Sequence, residues 1–175
     1  MADAELERLF EEMEQRFFGK YRGKVVENND PLGGNRLEVQ VPGILGKEPR
    51  WALPCVPYAA ADLGWHALPP IGASVWIEFE AGERDHPIWT GCFWDEGDTP
   101  PETSPEIVMF KTPGATFTIE DGGTVTIETS GGTKIVLAGD EITLEAPSIK
   151  QSANGGATEL SAAGFDAQNG AFTVV

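Results

Sequence analysis

From residue 117 onward, apolar residues come in pairs separated by one polar position: Phe117/Ile119, Val125/Ile127, Ile135/Leu137 and Ile142/Leu144, with Ile149 following. Alternation of period two marks a half-buried strand. The pairs recur every seven or eight residues, with Asp121-Gly122-Gly123, Ser130-Gly131-Gly132 and Gly139-Asp140 as turns between them. The spacing predicts one short strand and one turn per repeat. A solenoid coil needs about 20 residues or more to enclose its own core, so this repeat cannot close around itself. A ladder of such strands leaves one apolar side uncovered. Three chains about one axis solve this: each supplies a wall of a triangular prism, with edges pairing between chains. Phe117, Ile119, Val125, Ile127, Ile135, Leu137, Ile142, Leu144 and Ile149 then form the trimer interface, and Thr118, Glu120, Thr126, Glu128, Thr143 and Glu145 face water. The competing arrangement is an antiparallel meander folded onto the rest of its own chain. Residues 151–175 keep the Gly/Asn turns but space Leu160, Phe165 and Phe172 more widely. They are expected to continue the strands, with Phe172, Val174 and Val175 as a candidate tip contact.

Upstream, the pattern changes twice. Leu6, Leu9, Phe10, Met13 and Phe17 recur at spacings of three and four among glutamates, which predicts an amphipathic helix over 3–18, stopped near Gly19. Leu6, Phe10, Met13 and Phe17 are a candidate docking face for another subunit, although such a stripe usually packs on its own domain. Between Tyr21 and Asp95 come YRGKVVENND, NRLEVQVPG, WALPCVPY, SVWIEFE and PIWTGCFW, read as the strands of a small barrel. Asn28-Asn29-Asp30-Pro31 and Gly33-Gly34-Asn35 flank a hairpin loop, and Pro42-Gly43 is expected to force a turn. Trp51, Trp65, Trp76, Trp89 and Trp94 all fall in this segment. The Pro-rich run 97–106 reads as a stiff linker. The organisation is therefore a mainly β chain: an N-terminal helix in 1–19, a barrel over 20–96, a linker over 97–106 and a trimeric β-helical needle over 107–175.

Composition narrows the function. Twelve basic against 28 acidic residues give a formal charge of −16, which disfavours nucleic acid and an anionic membrane surface. The acidic N-terminus does not resemble a signal peptide, so synthesis in the cytoplasm is expected. Cys55 and Cys92 lack metal or redox spacing and are expected to be small buried hydrophobes. Gly82-Glu83-Arg84-Asp85-His86 gathers acid-base groups but lies between two strand patterns, as a hairpin turn would. The glycine pairs lack Walker spacing. No catalytic residue, cofactor or metal is assigned.

FFGKYRGKVVENNDPLGGNRLEVQVPGILG, then WALPCVPY, then PPIGASVWIEFEAGERDHPIWTGCFW, resembles the oligonucleotide/oligosaccharide-binding (OB) domain of phage baseplate assembly protein V and VgrG-like spike proteins, over residues 17–95. The resemblance implies an OB-fold barrel ahead of a homotrimeric, membrane-puncturing β-helix, as the central spike of a contractile injection system. It also implies inner-tube and baseplate or hub proteins as partners, a PAAR-type tip protein at the C-terminal end, and delivery to a target cell surface from a virion or tail-like particle. Some members build a metal apex from His-x-His motifs; His66 and His86 both lie in the barrel here. The lysozyme domain of some spikes and the larger hub domains of VgrG proteins have no counterpart in these residues. Two other readings compete: an OB-type module binding glycans through Trp65 or Trp94 on a β-helical stalk, and a tail-associated hydrolase, for which no convincing carboxylate pair is identified.

Overall fold

Short strands dominate the computed structural model, which describes residues 6, 7, 10, 13, 15–154, 156–167 and 172–174. The chain divides into two units, Met1–Thr99 and Pro100–Val175. In the first unit the strands are β1 (Tyr21–Glu27), β2 (Leu37–Gln40), β3 (Arg50–Pro54), β4 (Ala59–Ala60), β5 (Leu63–Gly64), β6 (Ser74–Phe79) and β7 (Pro87–Cys92). Five of them close into a barrel in the order β1-β2-β3-β7-β6, while β4 and β5 form a separate small hairpin. Neighbours in the barrel run antiparallel except β3 and β7, which pair in parallel. This is an OB-like barrel, and its five strands are the five the sequence pattern predicted.

Alternation decides what fills the interior. Val25, Leu37, Val39, Ala52, Val75, Ile77 and Trp89 point inward from their strands and are buried. The register shifts by one residue at Val25/Glu27 on β1 and at Trp76/Ile77 on β6, the kind of irregularity that bends a strand around a small barrel. Gly23 on β1 leaves room for the Ile77 side chain of β6: a Cβ there would lie 2.9 Å from Ile77 Cγ1. At Pro42 the sequence leads not to a bare turn but to one helical turn, Pro42–Leu45. Proline at its start loses no needed N–H, and Leu45 drops into the core.

The second unit holds β8 (Ile107–Lys111), β9 (Ala115–Glu120), β10 (Val125–Thr129), β11 (Lys134–Ala138) and β12 (Glu141–Glu145), then β13 (Ser148–Ala153), β14 (Gly156–Ser161), β15 (Gly164–Ala167) and β16 (Phe172–Val174). They make two sheets, β12-β11-β10-β9-β8 and β13-β14-β15-β16, each an antiparallel meander in chain order. One strand and one tight turn per repeat is therefore the observed unit. Within the chain, each strand pairs with its sequence neighbour. Part of the proline-rich run belongs to this unit: Glu102 accepts from Lys111 Nζ at 2.6 Å, and the Asp121 N–H donates to the Glu106 carbonyl.

Candidate interaction surfaces

Residues directly opposite one another in a ladder share a face. Across the five-stranded sheet, Val108 and Phe110 stand opposite Ile119 and Phe117, which stand opposite Val125 and Ile127. These in turn face Leu137 and Ile135, then Ile142 and Leu144. One face is thus apolar at ten consecutive register positions, two on each strand. Along the centre of the other face run Met109, Thr118, Thr126, Val136 and Thr143, with Glu128, Lys134 and Glu145 beside them. Nine of the ten apolar side chains are exposed, from Phe117 at 36% to Ile142 at 68%, and Val125 is half-buried. A contiguous apolar face of this kind marks a contact site in a soluble protein.

The structure brings eight of the nine predicted interface residues onto this one face. Ile149 lies instead on β13, opposite Leu160, which pairs with Phe165 and then Val174. Phe172 is on the same side, its ring 6.4 Å from that of Phe165. Phe172 and Val174 therefore belong to the last strand of a sheet, and Val175 lies outside the described residues. Val108 and Phe110 escaped the sequence reading for a simple reason. Ile107, Val108, Met109 and Phe110 are all apolar, so period two has no phase to read there.

The N-terminal group separates. Leu6, Phe10 and Met13 are helical and exposed. Phe17 is half-buried against its own barrel: its ring lies 5.9 Å from Phe79 and 6.4 Å from Tyr21, and its N–H donates to the Gly82 carbonyl at 2.9 Å. The adjoining Phe18 is exposed, and no periodic signal singled it out.

The weighed chemical groups fall apart spatially. Glu83 pairs with Arg16, and Asp85 lies 3.5 Å from Arg50, in exposed ion pairs of small energetic weight. The turn between β6 and β7 is closed by backbone bonds from Glu80 to His86 and from His86 to Glu83. Both cysteines are exposed, contrary to expectation. Ala52 takes the inward position on β3, which turns Cys55 outward past the strand end; Cys92 is the last residue of β7, opposite Val75 beyond the register shift, and is exposed at the end of its strand. Partial desolvation still pushes the Cys92 thiol above its ordinary pKa, opposite to the activation a nucleophile needs. Among the described residues no three His, Cys, Asp or Glu side chains gather as a metal site, and no helix is long and apolar enough to cross a membrane.

Trp65 and Trp94 are both exposed. Trp65 helps line a hollow of about 620 Å³ with Asn35, Pro54, Val56, Leu63 and Trp89. The Trp89 indole N–H is buried with no acceptor among the described residues. One wall of this hollow is the β1–β2 loop, held by Asp30. Its carboxylate accepts backbone N–H bonds from Leu32, Gly34 and Arg36 and two bonds from the Arg36 guanidinium, which also lies over Trp51 at 5.2 Å. The Arg36 bonds, followed by the backbone donors, hold the Asp30 carboxyl well below the usual carboxylate range.

Residues 21–94 match the family model of the type VI secretion system/phage-baseplate injector OB domain. The match begins at the first residue of β1 and runs just beyond the end of β7, so it covers the barrel strands and the hairpin between them. It supports the baseplate spike family at a coarse level, with a structural role among baseplate or tail components. No curated protein matches the chain.

Proposed function

We propose that this chain is the central spike subunit of a phage-tail-like contractile injection particle, working as a homotrimer. The barrel serves as the hub-facing part, and the sheets of the second unit assemble with two other copies into a needle. The observation that carries this reading is the pair of apolar rows that crosses β8–β12, on a chain whose barrel matches the family model of injector OB domains. Covering ten partly exposed aliphatic and aromatic side chains releases on the order of 10 kcal/mol per chain. Association costs ~4–15 kcal/mol, so this face is large enough to drive assembly only when nearly all of it is covered. Three walls around an axis cover it and leave the Thr/Glu/Lys face to water.

In the particle, the stiff needle transmits the force of sheath contraction to a target membrane. Leu6, Phe10 and Met13 dock on hub or inner-tube proteins, and a PAAR-type protein sits at the C-terminal end. Synthesis in the cytoplasm precedes incorporation into the baseplate. Static light scattering on the purified chain tests the reading: three times 18.8 kDa is expected. Ile127→Asp should reduce the mass to one chain, because assembly would bury three unpaired carboxylates together. A monomeric wild type, or a trimeric Ile127→Asp variant, would overturn it.

A further inference from the structure

Two apolar rows cross β8–β12 without a break, with Ala115 and Thr129 at the end of that face, but the second row of the corresponding face of β13–β16 is interrupted. Ile149, Leu160, Phe165 and Val174 stand in one row across the four strands. The next row, two residues along, is Gln151, Thr158, Ala167 and Phe172. Thr158 Oγ1 lies 3.2 Å from Gln151 Oε1 and donates to it, so both side chains project on that side. A carboxamide carries two N–H donors as well, and this bond uses neither. The opposite face already holds the polar contacts of a solvated surface: Lys150 lies 3.3 Å from Glu159, and Ser148 donates to the same carboxylate at 2.7 Å. Solubility therefore does not explain why Gln151 and Thr158 stand among Ile149, Leu160 and Phe172.

We infer that Gln151 and Thr158 form a polar layer across the interior of the assembled needle and set its register and chain number. This rests on the three-chain reading above. In one chain the layer is incomplete, since the Gln151 donors find acceptors only on the Gln151 and Thr158 oxygens of the other copies. A copy slipped by two residues would set the carboxamide against the row of Leu160 and Phe165, leaving buried donors without acceptors, and a fourth copy would widen the axis and draw the carboxamides apart. A lone polar residue in a coiled-coil seam selects register and oligomer state in the same way, at some cost in stability. The two inward rows of β8–β12 are apolar throughout, so a slip that exchanges them is opposed by polarity only at Thr129, at the end of the sheet.

The test uses the full chain, with native mass spectrometry for chain number and thermal unfolding for stability. Wild type is expected as a single three-chain species. Gln151→Leu should melt several degrees higher and lose that single species to a mixture of masses. Thr158→Val, which strands the carboxamide, should lower the melting midpoint of a trimer that still forms. If wild type is trimeric and both variants remain uniform trimers with its melting midpoint, the polar layer has no role; should Gln151→Leu fail to fold, the Thr158→Val midpoint decides. A wild type that is not trimeric would instead sink the assembly reading itself.

Discussion

Asp30 shows how one side chain can organise a loop. Nine residues separate β1 from β2, and five hydrogen bonds converge on a carboxylate that is 3% exposed. Its pKa in the folded chain lies below the ordinary value near 4, so Asp30 contributes stability that is fully present above about pH 4. That contribution is lost as pH falls further, because the unfolded chain then binds a proton that the folded one refuses. Thermal unfolding followed by tryptophan fluorescence should give a midpoint that drops below pH 4, and Asp30→Asn should lower the neutral midpoint while flattening the drop. Gly23 makes a second residue-scale case. Gly23→Ala must displace Ile77 or the strand carrying it, and should destabilise the barrel by ~1–3 kcal/mol in urea titration.

Among the elements, the sheet β8–β12 has two faces of opposite character, and the distinction is testable position by position. Val108→Asp, on the apolar side of edge strand β8, should weaken the trimer and shift its elution toward one chain. Thr126→Asp, on the opposite side of β10, should leave the mass unchanged. Equal effects would mean that the apolar face is not the assembly surface. Much of this element was legible in advance, since two-residue alternation and regular Gly turns are local signals. The part that was not legible, Val108 and Phe110, lies in a run with no polar residue to mark the phase. Only pairing with Ile119 and Phe117 assigns those two to the apolar side.

For the whole molecule, the two-unit division makes a fragment experiment informative. Residues 15–99 retain Arg16 and Phe17 with the barrel and should fold as a monomer; starting at residue 21 should lower the midpoint, because Phe17 would no longer cover Tyr21 and Phe79. Residues 100–175 should carry the self-association, read as a three-chain mass in light scattering. A trimeric barrel fragment would move the assembly surface to the first unit.

Strand content, turn positions and the apolar alternation of the C-terminal region were determined by the sequence itself, because each depends on residues within a few positions of one another. So were the five barrel strands, whose patterned runs are bounded by Gly, Pro and Asn. Barrel closure, the parallel β3–β7 pairing and the Asp30–Arg36 lock were decided only by tertiary structure, as were the exposure of both cysteines and the partial burial of Phe17. The physical reason is the same in each case. These features arise when segments distant in sequence compete for one interior, and the side chain that fills it is chosen by strand register, which no local window contains.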